Sequence, residues 1–208
     1  MQDDRAAALV GRRRMLGLLS GGAGLVLLGG CARNRLEPLP SPWRPGTQLD
    51  AMVPRLEPYL DVTNAHTGER VALRFADRGG RHDRRAMRRL DWVFRDWRQN
   101  QSPEIDPRLY WALAAIGGAA RQQGGSGQVT LLSGFRTPRT NSMLRAEGSG
   151  VASGSYHLRR RAADIRVDGL EMEQVAAYAE WLGVGGVGRY PRSSFTHIDS
   201  GPIRTWSG

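Results

Sequence analysis

Apolar positions change period several times along this chain, and each change predicts an element. Behind Asp83, a residue suited to capping a helix, Met87, Leu90, Val93, Phe94 and Trp97 recur at three- and four-residue spacing. That pattern predicts a helix with one apolar face. Pro107 opens a second helix through Leu109, Leu113 and Ile116, expected to end near Gly117 and Gly118. Residues 62–75 read as a hairpin turning at Thr67-Gly68, and residues 129–132 as a short apolar strand closed by Ser133-Gly134. A helix is expected over 139–147, a Gly/Ser/Ala-rich loop over 148–155, a strand over 163–167 and a helix over 171–182. Two last strands, 186–190 and 195–199, are joined by a turn at Pro191. There is no regular β-α-β rhythm, so the class is α+β: a small mixed or antiparallel sheet flanked by helices. Trp92, Trp97 and Trp111 are assigned to the core.

The N-terminal pattern is of another kind. Arg12 and Arg13, followed by Arg14, Met15 and Leu16, form a twin-arginine pattern ahead of an apolar run over residues 15–30. The run is shorter than the roughly 20 residues a spanning helix needs, which favours an export signal over a transmembrane anchor. It ends Leu28-Gly29-Gly30-Cys31, which resembles a lipobox, so Cys31 is the expected lipidation site and residues 1–31 the signal peptide. From 32 to 60 the chain carries Pro38, Pro40, Pro42, Pro45, Pro54 and Pro58 with little periodicity, and is expected to be an extended tether. The folded unit is then 61–208, exported to the periplasm or cell envelope and held at a membrane by lipid on Cys31.

Charge and cysteine count narrow the chemistry. The formal net charge of +10 comes wholly from arginine, since the 208 residues include no lysine. A nucleic-acid binder would use lysine as well, so no nucleic-acid partner is expected; the charge suits a polyanionic wall or membrane surface. A single cysteine excludes an internal disulfide and, lying at the edge of the leader, a cysteine nucleophile in the folded domain. The domain is read as a monomer.

Of the four histidines, His66 in the hairpin turn and His82 ahead of a helix are assigned structural or solvent-facing roles. His157 and His197 have a different setting. Asp164 follows His157 by seven residues at the start of an apolar strand, and strand alternation puts His197 and Asp199 on one face. Two imidazoles and a carboxylate are a common catalytic zinc set that leaves a fourth position open. By spacing alone this signal is weak.

Neighbouring residues strengthen it. The run from Ser133 to Asn141, Ser-Gly-Phe-Arg-Thr-Pro-Arg-Thr-Asn, resembles the SGYRTPxxN segment of the M15 zinc D-Ala-D-Ala peptidases. Ser155-Tyr156-His157-Leu158 through Asp164-Ile165 resembles that family's SxHxxGxAxDI motif, and Phe195 to Asp199 its terminal strand, in the same order. Closer still is the DUF882 branch of YcbK-like or MepK-like murein endopeptidases. It shares Asn64-x-His66-Thr67-Gly68-Glu69, Asp96-Trp97-Arg98, Ile105-Asp106-Pro107-Arg108-Leu109, Gly186-Val187-Gly188, Tyr190-Pro191-Arg192-Ser193 and Arg204-Thr205-Trp206. The resemblance implies the zinc D-Ala-D-Ala peptidase (hedgehog/DD-peptidase-like) fold. It implies Zn2+ on His157, Asp164 and His197, with Arg136 facing the substrate carbonyl. The implied reaction is hydrolysis of amides in peptidoglycan stem peptides and cross-links.

Two departures carry expectations of their own. The family motif has glycine where this chain has Arg160, so a left-handed turn there would strain the arginine. Many M15 enzymes carry an acid three positions before the last ligand, where this chain has Ser194. Asp199 is then the candidate catalytic acid or base, or else a partner that orients a ligand histidine. The rival readings are a wall-binding protein of the same fold without catalysis, a transpeptidase, and a lipid-anchored structural protein.

Overall fold

The computed structural model describes residues 44–148 and 151–208; the leader, Cys31 and the start of the proline-rich stretch lie outside them. Seven strands form one mixed sheet: β1 (Tyr59–Asn64), β2 (Arg70–Arg74), β3 (Val129–Ser133), β4 (Ala162–Val167), β5 (Gly186–Tyr190), β6 (Phe195–Asp199) and β7 (Arg204–Ser207). Their spatial order is β2-β1-β3-β4-β6-β5-β7. The β1–β3 and β5–β7 pairs are parallel and the other four antiparallel, which makes this the mixed sheet flanked by helices that was expected. The principal helices on this sheet are α2 (Arg84–Val93), α3 (Pro107–Gln122) and α5 (Met172–Leu182), with α4 (Pro138–Ala146) following β3.

Each helix starts where a side chain can take up free backbone N–H groups. Asp83 accepts from Arg85 and Ala86 at α2, Asp106 from Arg108 at α3, and Thr137 from Thr140 at α4. Glu171 and Gln174 cap α5 reciprocally, and Gly183 ends it in the left-handed conformation at φ +66°. Along α3 nearly every residue from Arg108 to Gly117 is buried, so this helix runs through the core instead of along its edge.

Five expectations need correction. The extended tether does not reach residue 60: Thr47 caps a short helix, α1 (Gln48–Met52), and Leu49, Val53 and Leu60 are core residues. Asp50 beyond that cap accepts from Arg108 Nη1 at 3.0 Å, which fixes the segment to α3. Prolines spaced along a stretch lower its periodicity without preventing a single helical turn from burying its apolar residues. Helix α3 does not end at Gly117-Gly118. The carbonyl of Gly127 packs so close to Gly117 that a Cβ would sit 2.8 Å from it; that glycine serves close approach, not termination. Helix α2 stops at Val93, short of Trp97, and only Trp111 of the three tryptophans is core. Trp92 lies at the surface donating to Glu69, and Trp97 stacks on His66 with ring centres 5.0 Å apart. Finally, β7 was not expected as a strand; it lies on β5 with Gly186 opposite Arg204 and Gly188 opposite Trp206. No helix among the described residues is long and apolar enough to cross a membrane.

Candidate active site and metal centre

Strands β4 and β6 are antiparallel neighbours, and their register sets Asp164 directly opposite His197. Directly opposed residues share a face, so residues 33 apart in sequence become adjacent. His157 comes from the tight turn that feeds β4. That turn closes through Leu158 N–H to Ser155 O, Arg159 N–H to Tyr156 O and Arg161 N–H to Tyr156 O. Arg160 within it has φ +61°, the left-handed conformation glycine would take freely. The strain expected at Arg160 is therefore present, at a cost of about 1 kcal/mol. Its surroundings hold it: Arg160 O accepts from Asp106 N–H, and the buried side chain donates through Nη1 to Glu104 O at 3.2 Å.

His157, Asp164 and His197 are the one group among the described residues placed to share a metal ion, and all three are buried. His157 Nε2 lies 3.2 Å from Asp164 Oδ1 and 3.3 Å from His197 Nδ1, and His197 Nδ1 lies 2.8 Å from Asp164 Oδ1. Zinc takes nitrogen and oxygen donors at about 2.0–2.2 Å in a tetrahedron, which sets donors about 3.3 Å apart. The triangle observed is close to one face of such a tetrahedron. The outer nitrogens are held too. His157 Nδ1 meets the carbonyl of Gly134 at 2.6 Å, and His197 Nε2 meets Asp199 Oδ2 at 3.1 Å. With protons on those outer nitrogens, the inner lone pairs of both rings point at the pocket, the arrangement typical of metal-binding histidines. The donor set therefore fits a small divalent cation.

Electrostatics agree with the geometry. Burial would push the Asp164 carboxyl up, but His157 and His197 outweigh it and hold the group well below the usual carboxylate range. Burial, and then the charge of Arg136, lower the pKa of His157, which favours the neutral imidazole. At His197 burial again opposes charge, yet Asp164 and Asp199 outweigh it and raise the pKa to about 9. Without a cation the pocket therefore favours a proton on His197, and a cation bound through Nδ1 would displace it.

Arg136 lies beside the pocket. Its Nη2 donates to Asp164 Oδ2 at 2.7 Å and its Nε to Ser133 Oγ at 2.8 Å. The guanidinium grips the carboxylate oxygen turned away from the histidines. Asp199 has no exposed surface and no oxygen to spare. Oδ1 accepts from Gly201 N–H, Gly186 N–H and Arg204 Nη1, while Oδ2 accepts from Arg204 Nη2 and faces His197 Nε2. Burial works against its charge, but His197 and Arg204 hold it strongly ionised. Ser194 is exposed on the turn between β5 and β6 with φ +49°, and its hydroxyl reaches only Pro191 O. His66 and His82 lie away from the pocket: His66 Nε2 meets Leu132 O, and His82 Nε2 accepts from Trp111 Nε1.

Sequence reasoning assigned no role to three groups at this site. Gly134 contributes only a carbonyl, for which no side-chain signal exists. Arg204 binds Asp199, and Trp206 lies 5.1 Å from the His197 ring. Both belong to the Arg204-Thr205-Trp206 run already matched to the family, and that match was the available signal.

Comparison with known proteins agrees with the site. Residues 54–206 match the family model described as peptidoglycan L,D-endopeptidase MepK. The peptidoglycan L,D-endopeptidase MepK of Escherichia coli K12 is 38% identical over 182 residues, covering 88% of this chain and 94% of that protein. The probable peptidoglycan L,D-endopeptidase MepK of Haemophilus influenzae is 37% identical over 159 residues, covering 76% and 84%. No solved structure matches. With three-quarters of its length inside the family model and its buried His-Asp-His triangle in place, the chain belongs to the MepK family of M15 peptidases.

Proposed function

We propose that this protein is a zinc-dependent peptidoglycan L,D-endopeptidase that hydrolyses amide bonds in the peptide cross-links of the cell wall. The observation that carries the proposal is the triangle of Nε2 of His157, Oδ1 of Asp164 and Nδ1 of His197, with edges of 2.8–3.3 Å and both outer ring nitrogens held. The MepK relatives supply the substrate class and the L,D bond type. Zinc held there would polarise the scissile carbonyl and make water a stronger acid and nucleophile at neutral pH.

The chain's own residues do the rest. Gly134 O and Asp199 fix the two histidine rings so that their inner nitrogens face the pocket. Asp199 is a positioning residue in this scheme, because its oxygens are all engaged and none reaches solvent. Arg136 anchors Asp164 and presents its remaining Nη1 donors to the carbonyl oxygen, where negative charge builds as the bond is attacked. Export by the twin-arginine leader and acylation at Cys31 would place the enzyme at a membrane of the cell envelope, next to its substrate.

Purified protein incubated with cross-linked muropeptides, with and without a chelator, tests the scheme. New free amines should appear only in the metal-replete sample, and zinc should restore activity after chelation. Equal cleavage with chelator, or a folded protein that takes up no zinc, would reject it.

A further inference from the structure

Beside the metal pocket, on the far side of Asp199, three arginines converge on one tyrosine. The guanidinium carbons of Arg159, Arg161 and Arg204 lie 5.2, 5.3 and 4.9 Å from the centre of the Tyr156 ring. Tyr156 immediately precedes His157 and packs against Gly201, where a Cβ would come within 2.5 Å of the ring. Arg204 also lies 4.9 Å over Trp206, whose ring is 5.1 Å from that of His197. Cluster and pocket are thus one side chain apart.

The charges in this cluster do not cancel. Arg204 is neutralised by buried Asp199 at 2.6 Å, and Arg161 is partly neutralised by Asp106 at 3.6 Å. Arg161 further donates to Ser200 Oγ at 3.1 Å and to Ser200 O. The exposed Arg159 side chain has neither a hydrogen bond nor an ion pair among the described residues. Arg44 adds to the excess: its guanidinium donates to the carbonyls of Ser200 and Gly201, and burial with the charges of Arg108 and Arg161 lowers its pKa. Like charges gathered at a surface repel unless an anion joins them. The tyrosine ring softens that repulsion by offering its negative face, but supplies no counter-charge.

We infer that Tyr156, Arg159, Arg161 and Arg204 form an anion subsite that receives a carboxylate of the peptidoglycan cross-link next to the bond being cut. The inference rests on the proposed endopeptidase activity for its substrate. The nitrogen of an L,D amide belongs to a D-configured carbon, and in a cross-link between diamino acids that carbon also bears a carboxylate. A cationic subsite one side chain from the metal pocket suits that group. It selects substrates in which the carboxylate is free and ionised over those in which it is masked as an amide. Guanidinium is the right partner, because its planar fork matches a carboxylate with two parallel hydrogen bonds.

Arg159 is the residue to change, since it takes no part in holding the metal pocket and its loss leaves Asp199 and Asp106 paired. Steady-state cleavage would be compared for parent and Arg159→Gln on two cross-linked dimers, one with the carboxylate beside the scissile nitrogen free and one with it amidated. On the free acid, KM should rise roughly tenfold in Arg159→Gln with kcat little changed. On the amide, parent and variant should be alike, both with the raised KM. An equal loss on both substrates, or no loss on either, would overturn the subsite. Binding of the cleavage product that carries the free carboxylate beside the released amine, followed by calorimetry, needs no turnover. Product bound by the parent and weakly by Arg159→Gln, without cleavage of either dimer, would keep the subsite and reject the enzyme. Product bound equally by both would reject the subsite whatever the activity.

Discussion

Two aspartates of this protein are buried to nearly the same degree and answer burial in opposite ways. Asp164 is 7% exposed and Asp91 is 6% exposed. Around Asp164 stand two imidazoles and the Arg136 guanidinium, and the carboxyl is held far below its ordinary range. Asp91, on the inner face of α2, accepts from two uncharged donors, Ile105 N–H at 3.0 Å and the Tyr110 hydroxyl at 2.8 Å, both on Oδ1, while the nearby charges of Glu104 and Arg160 act on it in opposite directions. There burial outweighs the two hydrogen bonds, and the pKa rises to about 6. The chain spends one buried acid on collecting positive charge and the other on joining α2 to α3. Burial alone would not tell them apart; the charge of the neighbours does.

The sharpest way to break the comparison is to take a ligand from the first cluster. His157→Ala should abolish stoichiometric zinc binding and lower muropeptide cleavage by on the order of a thousandfold or more, since two donors no longer define the open coordination site. Near-ultraviolet circular dichroism should stay native, because the core lies elsewhere. A variant that still cuts at the parent rate would remove His157 from the mechanism. Asp199→Asn is the next step down. It keeps the shape while weakening the hold on His197 Nε2 and leaving Arg204 without its carboxylate partner, so zinc affinity and activity should fall together by roughly 10–100-fold. If kcat falls while zinc affinity is unchanged, Asp199 is handling a proton and is not merely positioning the ring.

How much of this was legible beforehand depends on whether a feature is local. The His-Asp-His set was readable because each member lies in a run whose neighbours match family motifs, and because alternation along β6 couples His197 to Asp199. Helix starts were readable from Asp83 and Pro107, where a single side chain or ring determines the local geometry. The segment at 44–60 was misread because its burial is decided by distant residues, chiefly Arg108 reaching Asp50. Gly117 was misread for a similar reason, since the group that requires a glycine there is Gly127, ten residues on. Asp91 carried no signal at all. A lone acid within an arginine-rich helix reads as a surface charge until the helix is seen against Tyr110.

The second cluster gives smaller effects with a definite pH signature. A folded pKa of about 6 against an ordinary 3.8 means that the native state keeps a proton the unfolded chain has released between those values. Stability contributed by Asp91 therefore falls as pH rises through that window and stays reduced above it. Asp91→Asn keeps an oxygen acceptor for Ile105 N–H and Tyr110 and removes the buried charge. By urea unfolding it should be more stable than the parent by about 1–3 kcal/mol at pH 7.5, with the difference vanishing near pH 4. A variant less stable at both pH values would show that the carboxylate is favourable where it is, and would dissolve the contrast with Asp164.

Tyr110→Phe probes the same junction from its other side and should give the smallest change. It removes one of the two donors that oppose burial, so Asp91 should be pushed further up and the protein should lose about 1 kcal/mol at pH 7.5. In an Asp91→Asn background the same change should cost less, because an amide oxygen gains less from a hydroxyl donor than a carboxylate does. The double-mutant cycle therefore reads the charge on Asp91 directly: coupling present at pH 7.5 and absent at pH 4 places a titrating carboxylate at the end of the tyrosine hydrogen bond. Coupling that ignores pH would mean that Asp91 stays in one protonation state throughout, and that the tyrosine hydrogen bond joins α2 to α3 without a titrating charge.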